Sequence, residues 1–264
     1  MNIIVCVKQV PDTAEIRIDP VTNTLIRDGV QSIMNPYDKY ALEAALELKD
    51  SMGAKVTVLT MGPPQAKEIL KDAISMGADE VALISDRAFA GSDTLATSHA
   101  MVAAVKHVGD FDLILCGKQA IDGDTAQVGP EMAEHLHLPQ VTGATKIVVD
   151  GAKVLVNRDN ETTAQTIAIP LPALITVARS EKEPRFASIK GKMKARKMEI
   201  PVWSAADMNL DVNIIGLNGS PTKVITVFTP PVPEIRSEIF NEEDPQVAVD
   251  KLVEKLLEAK IIAR

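Results

Sequence analysis

The chain has 264 residues, of which 46% are hydrophobic and only 3% aromatic, and its formal net charge is −8 at pH 7. Such a length buries one large core, and a core filled by Val, Ile, Leu, Ala and Met in place of aromatic rings is the composition of parallel strands covered by helices. The acidic balance excludes a dedicated nucleic-acid binder, which needs Lys and Arg in excess over a broad surface, and no uncharged apolar run approaches the ~20 residues that membrane insertion requires.

In chain order, Ile3 to Val7 reads as a first strand, and Met1 to Val10 shows neither a basic leader nor a cleavage pattern, so a cytoplasmic protein is expected. Ile16-Arg17-Ile18 and Thr24-Leu25-Ile26 alternate around Asp19-Pro20-Val21-Thr22-Asn23 and predict a small hairpin outside the main sheet. A helix follows from about Tyr37 to Met52, with Tyr40, Ala41, Ala44, Ala45 and Leu48 on one face and Gly53 as its stop. Lys55 to Met61 is a strand, the next helix follows Pro63-Pro64 and ends at Met76-Gly77, and Glu80 to Ser85 is again a strand. A third helix opens at Gly91-Ser92-Asp93-Thr94, capped by Ser92 or Asp93, and turns Leu95, His99, Val102 and Val105 or Lys106 toward the sheet or its edge. Asp112 to Cys116 is the next strand. This alternation predicts an α/β protein with a doubly wound, mostly parallel, Rossmann-like sheet.

Gly117 to Pro130 joins that strand to a helix through a polar, glycine-containing turn. Strand-end glycines let backbone approach a ligand, and the free amides of a helix N-terminus favour phosphate or pyrophosphate, with Asp124, Thr125 and Gln127 as side-chain partners. The same spacing also reads as an ordinary strand-to-helix loop with Pro130 as the start signal. Asn35-Pro36-Tyr37-Asp38 and Met61-Gly62-Pro63 fall beyond strand carboxyl ends as well, where parallel sheets bind ligands, and face the same crevice.

After Pro139 the helices are expected to stop. Lys146 to Val149, Lys153 to Asn157, Gln165 to Ile169 and Ala173 to Val177 are strand-like and predict an antiparallel or mixed part. Asp207 to Pro233, with Pro221, Pro230, Pro231 and Pro233, reads as irregular chain, and a last helix from about Asp244 to Lys260 sets Val249, Leu252, Val253, Leu256 and Leu257 in one stripe. That stripe suits a partner surface or the chain's own body equally.

Arg179 to Lys197 concentrates Arg179, Lys182, Arg185, Lys190, Lys192, Lys194, Arg196 and Lys197 against Glu181 and Glu183. Runs of this kind are usually solvated loops, but Phe186, Ile189 and Met193 within it have the form of an apolar docking anchor among steering charges. His99, His107, His135 and His137 lack the spacing of a metal site, and Cys6 and Cys116, in separate strands, read as free thiols. No P-loop, G-x-S-x-G elbow or G-x-G-x-x-G after the first strand is present.

Several motifs in order then carry a resemblance: Val5-Cys6-Val7-Lys8, Met34-Asn35-Pro36-Tyr37, Gly62-Pro63, Met76-Gly77-Ala78-Asp79, Gly117-Lys118-Gln119-Ala120-Ile121-Asp122 and Pro184-Arg185-Phe186-Ala187-Ser188-Ile189. Along nearly its whole length the chain resembles the β subunit of electron transfer flavoproteins. The resemblance implies a heterodimer with a flavin-bearing α subunit and an adenine nucleotide in the crevice. Its contacts then fall at Cys6 through the backbone, at Asn35, Pro36, Tyr37 and Asp38, at Met61, and at Asp122, Gly123, Asp124, Thr125, Ala126, Gln127, Val128, Gly129 and Pro130. It also implies a domain over residues 1–205 with a recognition loop at about 180–198, and an arm and helix over 206–264 that pack on the α subunit.

In that loop the resemblance makes Ile189, with Arg185, Phe186 and Met193, the contact to acyl-CoA dehydrogenase partners; isoleucine stands where leucine is usual. Thr162 and Thr163 likewise replace the small or acidic residues expected after Arg158 and Glu161. Housekeeping members of the family hold AMP in the crevice, whereas flavin-bifurcating members hold a second FAD, and Asp122-Gly123-Asp124-Thr125-Ala126-Gln127-Val128-Gly129-Pro130 is similar to the bifurcating branch. Gly123 and Ala126 are small where bulkier polar residues would crowd a diphosphate. The branch implies that NADH delivers electrons to the β-bound FAD, one passing on to the α-subunit FAD and one to ferredoxin or flavodoxin, with no catalytic side chain required here. The alternatives are an AMP-holding carrier and, outside the family, a stand-alone adenine-nucleotide sensor or hydrolase.

Overall fold

The computed structural model describes residues 1–12, 17–18, 25–26, 32–180, 182–226, 228, 231 and 237–263. Asn2–Cys6 (β1) is buried at every residue but its first, and its side chains alternate between two cores, Ile3 and Val5 on one side and Ile4 and Cys6 on the other. A strand apolar on both faces is one covered by helices on both. Two short antiparallel pairs stand apart from the main sheet: β2 (Gln9–Pro11) with β5 (Ser32–Met34), and β3 (Arg17–Ile18) with β4 (Leu25–Ile26). The second is the expected hairpin, although Ile16, Thr24 and the turn Asp19 to Asn23 lie outside the described residues.

Pro36–Met52 (α1) ends at Gly53, whose φ of 72° is left-handed and whose amide closes the helix by donating a hydrogen bond to Lys49 O. Lys55–Met61 (β6) follows, then a 3-10 turn over Pro64–Ala66, α2 (Lys67–Met76), β7 (Glu80–Ile84), α3 (Thr94–Val108) and β8 (Leu113–Gly117). The cap of α3 is Asp93, which accepts the Ala96 amide. Its buried face differs from the expected one. Ala96, Ala100, Met101, Ala104 and Val105 are buried together with Val102, whereas Leu95 and His99 are half-buried and Lys106 is exposed. Small residues let this helix lie close on the sheet, so size and not hydropathy alone chose its face.

After α4 (Val128–His135) come β9 (Gln140–Asp150), β10 (Lys153–Asp159), β11 (Ala164–Pro170) and β12 (Ala173–Val177). The helices do not stop at Pro139: α5 (Ile189–Lys197) forms within the basic run, its first turn capped by Ser188, which accepts the Gly191 amide. The charged side chains that make this segment read as a solvated loop lie on the outside of a helix anchored elsewhere. β13 (Val202–Trp203) and the single turn α6 (Gly216–Gly219) complete this part.

The nine strands of the sheet run in the order β11-β10-β9-β12-β8-β1-β6-β7-β13. From β9 through β12, β8, β1, β6 and β7 to β13 the pairs are parallel, and β9-β10-β11 is antiparallel, so the predicted mixed part extends one edge of the same sheet. One core gathers α1 and α2, the other α3 and α4, which is the doubly wound arrangement.

Contacts divide the chain into Met1–Thr226 and Val227–Arg264. The second unit holds α7 (Pro245–Glu258), capped by Asp244, which accepts the Gln246 amide; Val249, Leu252 and Val253 on it are exposed. Pro230 and Pro233 of the expected irregular stretch, and Glu181 in the basic run, lie outside the described residues.

Candidate functional site

In the parallel registers Cys6 stands between Leu59 and Cys116, so the carboxyl ends of β1, β6 and β8 form one edge. To that edge the fold brings Cys6, Met61, the start of α1 at Asn35–Asp38, and the whole loop from Asp122 to Pro130. Three side chains fasten these pieces. Asp38, buried, accepts the Lys8 amide at 2.7 Å and the Gly117 amide at 3.0 Å. Asn35, fully buried, donates to Gln119 O at 2.9 Å and accepts the Ile121 amide at 3.1 Å. Lys8 reaches both oxygens of Asp122, at 2.7 and 2.8 Å.

Asn35 therefore leaves α1 without a side-chain cap, because its amide holds the loop instead. Burial raises the Asp38 carboxyl to about 7, outweighing the bonds from Asn35, Lys8 and Gly117 that lower it. Lys8 and Gly117 are structural members of this edge that motif reading quotes within motifs but does not place among the site residues. Besides those motifs, their sequence signal is a lysine and a glycine directly after two apolar strands.

The backbone of the loop itself departs from the ordinary. Gln119 donates to Asp124 at 2.8 Å, and Asp124 and Ala126 have φ of 51° and 54°, in the left-handed region that alanine rarely enters. Gln127 returns to right-handed geometry, and alternation of left- and right-handed residues is the backbone pattern of anion-binding turns. Val128 and Gly129 open α4, so their amides have no carbonyl a turn earlier to bond. The helix thus starts two residues before Pro130.

Gly129 is required where it sits, since a Cβ there would stand 2.8 Å from both Cys116 Sγ and Thr176 Cγ2, whereas a Cβ on Gly123 meets nothing within 4 Å. Open space at Gly123 and the free amides at the start of α4 fit a phosphate-bearing nucleotide. Cys6, pushed up to about 12 by burial and then by Asp38, offers its main chain and not a thiolate; burial holds Cys116 high as well. Among the described residues no group of three or more His, Cys, Asp or Glu could hold a metal ion.

The second set of predicted residues lies at the opposite, amino edge of the sheet. There Ser188 N donates to Ser75 O at 3.0 Å, Lys194 Nζ to Ala78 O at 3.1 Å, and a Cβ on Gly191 would stand 2.2 Å from Ser75 O, so α5 rests directly on the end of α2. Phe186 is 96% exposed, Ile189 83% and Met193 57%, which makes an apolar patch on a fixed base. Arg185 does not share that exposure. Its guanidinium grips Glu43 at 2.9 Å and Asp50 at 2.8 Å on α1, and its amide donates to Glu43 at 2.9 Å. Tyr40 to Glu183, at 2.8 Å, and the Lys182–Glu47 pair complete this clamp along α1.

Concavity alone does not mark the nucleotide edge. A groove of about 1220 Å³ lies between α1 and the outer strands β9–β11, lined by Glu43, Glu47, Lys146, Asn157 and Arg179, away from the carboxyl ends of β1, β6 and β8. The loop's backbone is the better guide, because free amides at a helix N-terminus favour an anion, whereas this groove carries acidic Glu43 and Glu47. No helix among the described residues is long and apolar enough to cross a membrane.

Residues 22–208 match the electron transfer flavoprotein domain. The chain is 52% identical to an electron transfer flavoprotein subunit beta from Megasphaera elsdenii, with 99% of this chain and 100% of that one covered. It is 48% identical to the caffeyl-CoA reductase-Etf complex subunit CarD of Acetobacterium woodii, over 99% and 100%, and 49% identical to protein FixA of Azorhizobium caulinodans, over 87% and 85%. On a doubly wound sheet with matching sequence from end to end, the chain belongs to the electron transfer flavoprotein family, as a β subunit.

Proposed function

We propose that the Asp122–Pro130 loop holds FAD, and that the heterodimer formed with the α subunit takes electrons from NADH and divides them between ferredoxin or flavodoxin and, through the α-subunit FAD, an acyl-CoA dehydrogenase. The observation that carries this reading is the loop itself: left-handed backbone at Asp124 and Ala126 leading into the free amides at the start of α4, with clear space at Gly123. When bound, FAD supplies the exchange of electron pairs for single electrons. The chain's own residues bind and orient it: Asp122 to Pro130 surround the diphosphate, Cys6 and Met61 offer the strand ends, and Pro36 and Tyr37 shape the wall that Asn35 and Asp38 hold in place.

At the other edge, Phe186, Ile189 and Met193 dock the dehydrogenase, with Arg185 bracing them from beneath. The printed name of the Acetobacterium woodii relative, a caffeyl-CoA reductase complex subunit, supports a partner that acts on a CoA thioester. The domain over 1–205 carries both edges. The arm from 206 onward packs on the α subunit, which the exposed stripe of α7 supports. Free Cys6 and Cys116 support a reducing, cytoplasmic setting.

Co-purification with the α subunit, acid release and quantification of nucleotide tests the reading. Two FAD per heterodimer is the expected result. One FAD with one AMP would turn the chain into the AMP-holding carrier, and no adenine nucleotide beyond the α-subunit FAD would overturn the loop's assignment. Gly123→Asp should weaken FAD more than AMP, since a side chain there enters the space the longer ligand needs.

A further inference from the structure

Three oxygens meet between the first turns of α3 and α4. Thr94 Oγ1 lies 3.1 Å from Gln127 Oε1 and 3.1 Å from Glu131 Oε1. A hydroxyl has one proton and cannot donate to two acceptors at once, so one of the two contacts must run the other way. The amide of Gln127 satisfies this by rotating, since its oxygen and nitrogen are interchangeable in shape. Thr94 then accepts from the Gln127 NH₂ and donates to an ionised Glu131. Alternatively, Glu131 is protonated and donates to Thr94, which donates to Gln127 Oε1. In the first state the carbonyl of Gln127 is left for the loop; in the second, its NH₂ is.

The surroundings leave both states open. Glu131 Oε2 is buried with no hydrogen-bond partner among the described residues, so no bond to that oxygen favours the ionised form. Burial raises its pKa, and Asp93 on α3 raises it further, while Thr94 and His135 lower it. His135, also on α4, stacks against His99 of α3 with ring centroids 4.3 Å apart, and burial followed by His135 lowers His99. Asp93 is engaged by the Ala96 amide and by both the amide and hydroxyl of Thr222.

We propose that Thr94 and Glu131 form a proton-reversible relay that decides whether exposed Gln127 offers a donor or an acceptor to the nucleotide phosphate in the adjoining loop. The inference rests on the nucleotide reading above and makes Thr94 and Glu131 positioning residues that act through Gln127. Phosphate oxygens accept hydrogen bonds, so the protonated state of the relay is the tight-binding one and nucleotide affinity rises as pH falls.

The test uses the full chain assembled with its α subunit, freed of nucleotide and titrated with AMP and with FAD over a pH series from acid to alkaline. Wild type is compared with Thr94→Val, Thr94→Ser and Glu131→Gln, and the ratio to wild type at each pH removes the titration of the ligand itself. Exchanging one hydrogen bond for an opposed pair corresponds to about tenfold in Kd, so wild type should weaken by about that factor as Glu131 ionises. Glu131→Gln should keep the acid-limit affinity throughout, Thr94→Val should lose the pH dependence, and Thr94→Ser, which retains the hydroxyl, should restore it. A wild-type pH profile persisting in both Thr94→Val and Glu131→Gln would overturn the relay alone. Absence of AMP and FAD binding by wild type at every pH would overturn the nucleotide reading and the relay together.

Discussion

The amide of Gly117 donates to Asp38 Oδ1 at 3.0 Å, and the two backbones lie so close that a Cβ on Gly117 would stand 2.2 Å from that oxygen and 2.8 Å from Asp38 N. This contact ties the end of β8 to the start of α1. Gly117→Ala cannot be relieved by a rotamer change, since backbone atoms of Tyr37 and Asp38 bound the space. A loss of about 3 kcal/mol is expected in urea denaturation. Unchanged stability would mean that the strand end moves freely of α1.

Asp38 also gives the fold a pH dependence. Burial raises its carboxyl from 3.8 to about 7, so the folded protein holds this proton more tightly than the unfolded chain. The contribution is intact below about pH 4, is lost as pH rises to about 7, and amounts to on the order of 4 kcal/mol. Asp38→Asn never ionises and should flatten that part of the stability curve. Its amide nitrogen faces a donor, either the Lys8 or the Gly117 amide, so it should also be less stable than wild type at acid pH. Equal slopes for the two proteins, measured by urea midpoints across the range, would show that Asp38 ionises without loss.

Gly129 and Gly123 should respond oppositely to alanine. At Gly129 the new Cβ meets buried Cys116 and Thr176, and a loss of about 1–3 kcal/mol is expected, with weaker nucleotide binding as the α4 amides are displaced. At Gly123 the Cβ meets only open space, and thermal stability should stay within about 0.5 kcal/mol of wild type. Calorimetric unfolding of the two variants separates the cases, and a destabilised Gly123→Ala would reveal a constraint on that backbone.

Ile189 stands 83% exposed at the first turn of α5 and supports nothing inside the fold. Ile189→Ala should leave stability and bound nucleotide unchanged while slowing electron delivery to an acyl-CoA dehydrogenase about tenfold, the effect of removing one apolar anchor. Stopped-flow transfer kinetics equal to wild type would remove Ile189 from the docking face.

Arg185 and Glu43 form the clamp beneath that face. The Glu43 side chain is 6% exposed, so Arg185→Ala leaves an uncompensated carboxylate and should cost about 3 kcal/mol. A double-mutant cycle with Glu43→Gln should return a coupling above about 1 kcal/mol. Additive losses would mean that the clamp is incidental.

Much of this was legible in the residues before any tertiary contact was known. The apolar runs of β1, β6, β7 and β8, with Gly53 and Asp93 at helix ends, state a doubly wound sheet locally, because strand burial and helix capping depend on near neighbours in the chain. The placement of the polar, glycine-containing loop beyond the strand carboxyl ends was legible for the same reason. Less legible was α5, whose helical pattern is masked by charges that face solvent while Gly191 and Ser188 meet α2, far away in sequence.

The sequence by itself determined the alternation of strands and helices and membership of the family, since each is written in local pattern and motif order. Only the tertiary structure decided what individual side chains do there. Asp38, Asn35 and Arg185 stand in motifs that suggest ligand or partner contact, yet each is bonded to protein groups more than 75 residues away. Whether a polar side chain faces a ligand or braces the fold depends on which distant amides and charges close around it, and spacing along the chain holds no record of that.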